Sequence, residues 1–182
     1  MVGSIRPWHN IFSACDLKNA KTLWAGKAAM TQGRRTLRFN SLDEVMPDVE
    51  RLLEGHSTVG NWSLAQICRH VSTVMRRVVD LPASTPVNPS QWAPEERKRE
   101  VLESGMIPEG LPAPPEILPA EGLNEREEAE GLRAAIAHYK ASNGPVIPHR
   151  IFGPLTKAEW DRIQCIHCAH HLSFAVPAAI PR

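Results

Sequence analysis

The segment TKAEWDRIQCIHCAHHLSF, residues 156–174, decides how this chain is expected to fold. Thr156 with Glu159 three residues later forms a capping box, which predicts the start of a helix at this point. Pro177 is expected to end that helix. The residues that fall on one face of it at helical spacing are Trp160, Ile163, His167, His171 and Phe174.

Two histidines lie near the centre of this apolar face. His167 and His171 are four residues apart, so a helix stacks their rings one turn apart on the same side. Each neutral ring has one donor and one acceptor, and an unpaired buried polar group costs about 1–3 kcal/mol. A metal ion would bind one nitrogen of each ring, so the pair predicts half of a metal site.

A second helix is predicted after Gly60-Asn61-Trp62-Ser63, with Asn61 or Ser63 as its cap. His70 falls on the flank of its apolar stripe, beside Val74. A lone histidine in this position is more typical of a core residue than of a ligand. Together with the pair on the last helix, however, it would complete three neutral ligands and leave positions open for water or substrate, which is typical of a catalytic metal site.

The rest of the chain adds two main helices and no strand pattern. The first is expected to start at a Ser41–Glu44 capping box, with Pro47 as a defect in its first turn, and the third is expected to start at Asn124. Residues 80–123 hold nine of the sixteen prolines and form a long crossover with one short helix, Pro94 to Glu103. The pattern predicts an all-α fold of four main helices.

Composition excludes several classes of protein. The 182 residues carry a net charge of +1, and residues 1–33 are expected to be a basic, poorly ordered extension preceding a domain at 34–182. The basic residues lack interleaved aromatics, which argues against a nucleic-acid partner. No run reaches the ~18 apolar residues of a membrane span. Without a secretory signal, we expect a cytoplasmic protein whose cysteines, including Cys165-x-x-Cys168, are free thiols.

Four segments together resemble an uncharacterised branch of the DinB-like superfamily. They are Arg35–Val45, Gly60–His70, Pro148–Thr156 and Glu159–Phe174. The resemblance implies a four-helix bundle with up-down-down-up topology, the long Pro-rich crossover joining helices 2 and 3. It also implies a divalent metal at the positions of His70, His167 and His171, and a homodimer. Better-known relatives use low-molecular-weight thiols. The connector departs from the common pattern, because Arg150 replaces the proline that usually follows the histidine.

The leading hypothesis is therefore a metal-dependent enzyme for a small-molecule substrate. Three imidazoles suit Zn²⁺, Ni²⁺ or Fe²⁺, and both hydrolysis and thiol transfer remain open, with the resemblance favouring the thiol. The competing hypothesis is a non-catalytic bundle that acts through protein association.

Further residues are expected around the metal ligands. Gln66 or His170 would orient the ligands, while Asn61 and Trp62 would line the pocket. His149 would either reach the mouth of the site or bond to its own turn.

Overall fold

The computed structural model describes residues 31–111 and 113–179, and the predicted basic extension up to residue 30 lies outside them. The described chain is mostly helical, with five α-helices and one two-stranded sheet. None of the helices in these two ranges is long and apolar enough to cross a bilayer.

The first helix starts later than the sequence predicts. Leu42–Glu44 form a 3₁₀ turn, and the α-helix proper, α1, runs over Val45–Leu53. The predicted capping box at Ser41 is wrong, because the Ser41 side chain makes no capping bond. The Glu44 carboxylate instead accepts a bond from the Asn40 amide at 3.0 Å. Pro47 therefore lies in the first turn of α1, where its missing N–H is not needed.

The second helix, α2, runs over Leu64–Asp80 and starts at a complete capping box. Ser63 caps the Gln66 amide at 3.2 Å, and the Gln66 side chain accepts from the Ser63 amide at 3.0 Å. Of the two predicted caps, Ser63 is thus the one used. The face of α2 that carries Leu64, Ile67 and Val71 is fully buried.

The crossover packs against the body of the protein. It contains α3, Glu95–Ser104, one residue later than predicted, and 3₁₀ turns at Pro89–Gln91 and Pro115–Ile117. Gly105 ends α3 in the left-handed conformation, with φ of 69°. Val101 of α3 joins Phe152, Ile163 and Ile166 in a small apolar cluster apart from the main core.

Two long helices complete the core. Asn124 caps α4, Glu125–Ala141, and the predicted Thr156–Glu159 capping box starts α5, Lys157–Leu172. α2 packs against both α4 and α5, so the helix that carries His70 faces the helix that carries the other two histidines. The apolar core lies between these elements and α1.

The expectation of no strands is wrong. β1, His56–Thr58, pairs antiparallel with β2, Ala175–Pro177. Segments of three residues are too short to show strand alternation, and their pairing joins distant parts of the chain. The last helix consequently ends at Leu172 rather than at Pro177, and Phe174 lies in the turn between α5 and β2.

Candidate metal centre

The three predicted ligands converge between α2 and α5. His70 is buried, while His167 and His171 are partly exposed. One nitrogen from each ring can be chosen so that all three lie within 4.8 Å of one another. Among the described residues, these three histidines are the group of three or more histidine, cysteine or acidic side chains that lie close enough to share a metal ion.

A backbone carbonyl fixes the orientation of His70. The His70 Nδ1 atom lies 2.8 Å from the carbonyl oxygen of Ile117 in the crossover. A carbonyl can only accept, so Nδ1 carries the proton and Nε2 presents its lone pair. That lone pair faces the His167 Nε2 atom at 3.3 Å. Histidine ligands of metals commonly have their second nitrogen held in this way.

The other two rings are held by packing. The His167 Nδ1 atom is buried without a hydrogen-bond partner among the described residues. The ring of His171 meets that of His167 edge-on, with centroids 4.6 Å apart. Trp62 stacks on His171 with an interplanar angle of 17° and a centroid separation of 5.4 Å. The indole therefore forms one wall of the site.

The surroundings of all three histidines favour the neutral form of the ring. Burial lowers the pKa of His70, and the bond to Ile117 opposes that shift. Burial also lowers the pKa of His167 and of His171 well below the usual range, and the neighbouring rings add to the effect. Neutral imidazole is the form that binds a metal cation. Because the pKa of each ring is lowered, protons compete little with such a cation for the ring nitrogens.

The cluster opens onto a cavity of about 720 Å³, a size suited to a small molecule. Asn61 and Trp62 line it, as the sequence predicts, together with apolar side chains of α2 such as Val74. Gln66 does not line it. Its amide is engaged in the α2 cap and donates to the Ala120 carbonyl at 3.2 Å, so it cannot orient a ligand as predicted.

His170 lines the cavity but is committed to a polar network. The Arg34 guanidinium lies 3.1 Å from the His170 Nδ1 atom and donates to the His170 carbonyl at 2.9 Å. Burial, with the Arg34 charge, lowers the pKa of His170 to about 4. Arg34 also pairs with Glu109 of the crossover at 2.6 Å. Nothing in the local sequence signalled this network, because it joins residues far apart in the chain.

His149 follows the second of its two predicted alternatives. Its Nδ1 atom accepts from the amides of Ile151 and Phe152 at 3.1 and 3.0 Å, which closes the turn before α5. Its ring stacks on Phe152 with centroids 4.9 Å apart. Burial lowers the pKa of His149 to about 4. The ring also lines the cavity, so its bonds to the turn do not exclude the first alternative.

Sequence reasoning missed Gln164. This residue is only 2% exposed, lines the cavity, and has a buried amide oxygen without a hydrogen-bond partner among the described residues. Gln164 precedes His167 by three residues and His171 by seven, and this spacing places it on the same face of the helix. The sequence could have indicated the residue through that spacing.

The described cysteines, Cys68, Cys165 and Cys168, are free and buried. Burial raises the pKa of Cys68 to about 12 and that of Cys165 to about 11. Such thiols stay protonated at neutral pH and are poor nucleophiles and poor metal ligands.

The fold and the site define a mostly helical domain with a cluster of three histidines that could hold a metal. The chain belongs to the family described as a protein of unknown function, DUF1569, whose model matches residues 31–178. No curated protein and no solved structure matches the chain. The wider DinB-like relationship stays a prediction.

Proposed function

We propose that this chain is a divalent-metal-dependent enzyme in which His70, His167 and His171 are the protein ligands. The observation that carries the proposal is the convergence of three neutral imidazoles at a cavity of small-molecule size. Three protein ligands leave coordination positions free for a water molecule or a substrate, as in catalytic zinc sites.

The donor set fits such a cation. Zinc binds histidine nitrogen at about 2.0–2.1 Å, which separates two ligands of a tetrahedral site by about 3.3–3.4 Å. The His70 and His167 Nε2 atoms lie 3.3 Å apart. The hydrogen bond to Ile117 leaves the His70 Nε2 lone pair free for the metal. Zn²⁺, Ni²⁺ and Fe²⁺ all accept imidazole ligands, so the donor types do not choose among them.

The cation would supply Lewis acidity at neutral pH, which serves both hydrolysis and thiol transfer. The chain's own residues supply the surroundings. Trp62 holds His171 by stacking, and the apolar side chains of the cavity limit access of water. We favour thiol transfer with a low-molecular-weight thiol, because the sequence resembles the DinB-like superfamily.

We further propose that α1, α2, α4 and α5 form a DinB-like four-helix bundle with up-down-down-up topology. Packing of α2 on α4 and α5, and the long crossover between α2 and α4, support this arrangement. A homodimer and a cytoplasmic location are part of the same proposal. Free buried cysteines in the described chain are typical of a reducing compartment and support the location.

Metal analysis of the purified protein tests the proposal. We expect close to one equivalent of a divalent transition metal per chain in the wild type and a loss of most of it in His171→Ala. His138→Ala is the matched control, because that histidine is exposed and bonds to Asp80 on the surface. Equal metal content in all three proteins would refute the ligand assignment. A wild type that binds no zinc or nickel would favour a non-catalytic protein that acts through association.

A further inference from the structure

Three polar side chains in the cavity wall have hydrogen-bonding capacity that the described protein does not use. They are His149 and Arg150 in the turn before α5, and Gln164 on α5. The ring of His149 meets the edge of Trp160 with centroids 5.2 Å apart, and Trp160 lies one helical turn before Gln164. The turn and this face of α5 are therefore neighbours in the cavity.

Gln164 is the most informative of the three. Its amide oxygen is buried without a hydrogen-bond partner among the described residues. Exchanging the amide oxygen and the NH₂ group, which have nearly the same shape, would place an N–H donor at this unpaired position. An unsatisfied buried amide costs stability, and a native protein keeps one where a ligand or a bound water completes it.

His149 presents a hydrogen-bond donor of fixed position. Its Nδ1 atom accepts from two backbone amides, so the ring proton must lie on Nε2. No described residue accepts a bond from that N–H group. The low pKa of His149 keeps the ring neutral, and its tautomer is thus set by the turn.

Arg150 supplies a positive charge from an exposed side chain that lines the cavity. Its guanidinium makes no hydrogen bond or salt bridge with the described residues, and the carboxylate of Glu116 attracts it. The other full charge in the cavity wall, Glu109, is already neutralised by Arg34 at 2.6 Å. The cavity wall therefore carries one positive charge that forms no salt bridge with the described residues, beside two neutral side chains able to donate.

We propose that His149, Arg150 and Gln164 form a binding site for an oxyanion, and that the substrate is a small organic acid with an apolar body. An arginine fork with two further N–H donors matches a carboxylate or a phosphate group. The apolar side chains of the cavity, such as Val74 and Phe174, suit the remainder of the molecule. As a statement about the substrate, this inference rests on the proposed function, since the acid would present its reactive group to the histidine cluster.

Calorimetric titration with matched probes tests the site. Phenylacetate and phenylphosphonate represent the two oxyanions, and phenylacetamide is the neutral counterpart. For the full-length wild type we expect at least one anion to bind about tenfold more tightly than the amide, the difference that one charge-assisted hydrogen bond provides. Whichever anion binds more tightly identifies the group as a carboxylate or a phosphate.

Variants assign the preference to residues. Arg150→Gln and Gln164→Leu should each reduce the anion preference to threefold or less. The control Arg126→Gln, at an exposed arginine outside the cavity, should keep it. Gln164→Leu should also melt no lower than the wild type, because the buried amide oxygen of Gln164 has no hydrogen bond to lose. A purely structural role for Gln164 would instead lower its melting temperature.

The outcomes separate this inference from the metal proposal, because every titration is made on both metal-free and zinc-loaded protein. Anion preference with no zinc binding would refute the metal enzyme and support the oxyanion site. Zinc binding with no anion preference, or with a preference that both variants retain, would overturn the oxyanion site alone. Failure of both anions to bind would also overturn it.

Discussion

The Nε2 atoms of His70 and His167 lie 3.3 Å apart, although 97 residues separate the two histidines in the chain. The Ile117 carbonyl fixes the proton of His70 on its other nitrogen, so the His70 Nε2 atom can only accept a proton or bind a cation. This contact links α2, the crossover and α5 at one point. A cation held there should therefore stabilise the whole domain.

Removal of the metal should lower the melting temperature. A ligand at a thousandfold excess over its dissociation constant stabilises by about 4 kcal/mol, which corresponds to roughly 10 °C for a domain of this size. We expect a shift of this order when zinc-loaded wild type is treated with EDTA and followed by circular dichroism. In His70→Ala, EDTA should change the melting temperature by less than 2 °C, roughly the resolution of such a comparison. An equal EDTA effect in both proteins would contradict the assignment of His70.

The buried ion pair between Arg34 and Glu109 should contribute strongly to stability. The two side chains are 9% and 17% exposed and lie 2.6 Å apart. Burial would raise the pKa of Glu109, but bonds from Thr31 and Arg34 lower it overall. Arg34→Ala removes the cation that balances this carboxylate and leaves it only the bonds from Thr31, so it should cost about 3 kcal/mol in urea unfolding.

The control for that variant is Arg51→Ala. Arg51 is 56% exposed and pairs with Asp48, which Arg35 also binds. Its removal should cost less than about 1 kcal/mol. Similar losses of unfolding free energy in the two variants would mean that the Arg34–Glu109 pair stabilises the protein no more than an exposed ion pair does.

The turn that carries His149 should tolerate no side chain at Gly153. This glycine has φ of 69°, and an added Cβ would lie 2.9 Å from the ring of Trp92. Gly153→Ala should cost about 2 kcal/mol or more, because backbone strain and a clash with a rigid ring add together. Gly110→Ala isolates the strain, since Gly110 has φ of 76° with nothing within 4 Å of the added Cβ. Chemical denaturation should rank Gly153→Ala as clearly the more destabilised.

Acid should weaken the fold through His149. Its pKa is about 4 in the folded protein and close to 6.5 in an unfolded chain. The unfolded state therefore binds more protons between these values, and stability falls as pH drops from about 6.5 towards 4. The contribution of this group is at most about 3 kcal/mol. The free energy of unfolding contains this whole contribution above pH 6.5. Below pH 4 the contribution is lost, and protonation of His149 no longer changes stability.

His149→Asn tests that source of acid sensitivity. The asparagine Oδ1 atom can accept the two turn amides in place of Nδ1, but it does not titrate. Unfolding free energies measured from pH 7 to 4 should fall less steeply in this variant than in the wild type. Parallel curves would show that His149 is protonated without cost in the folded state.

The described cysteines should resist alkylation in the native protein. Burial raises the pKa of Cys68 and Cys165 to about 12 and 11, and raises that of Cys168 further. Iodoacetamide at pH 8 should modify all three only after unfolding in guanidinium, as read by peptide mass spectrometry. Rapid native labelling of Cys168, which is fully buried, would contradict the packing of α5.

Local patterns determined the helices of this protein. Ser63, Asn124 and Thr156 were recognisable as caps because capping depends on residues within one turn. The spacing of His167 and His171 likewise placed them on one helix face, since helical geometry alone fixes that relationship. The pairing of β1 with β2 was missed because three-residue strands leave no periodic signal.

The sequence by itself thus determined where the helices lie and which side chains share a face. Only the tertiary structure decided which faces meet, since contacts between distant segments depend on chain closure and packing that no local pattern records. It set His70 against His167 and left the Gln164 amide oxygen without a hydrogen-bond partner among the described residues. It also committed His149 to its turn, because the amides that bond to its ring become available only when that turn closes.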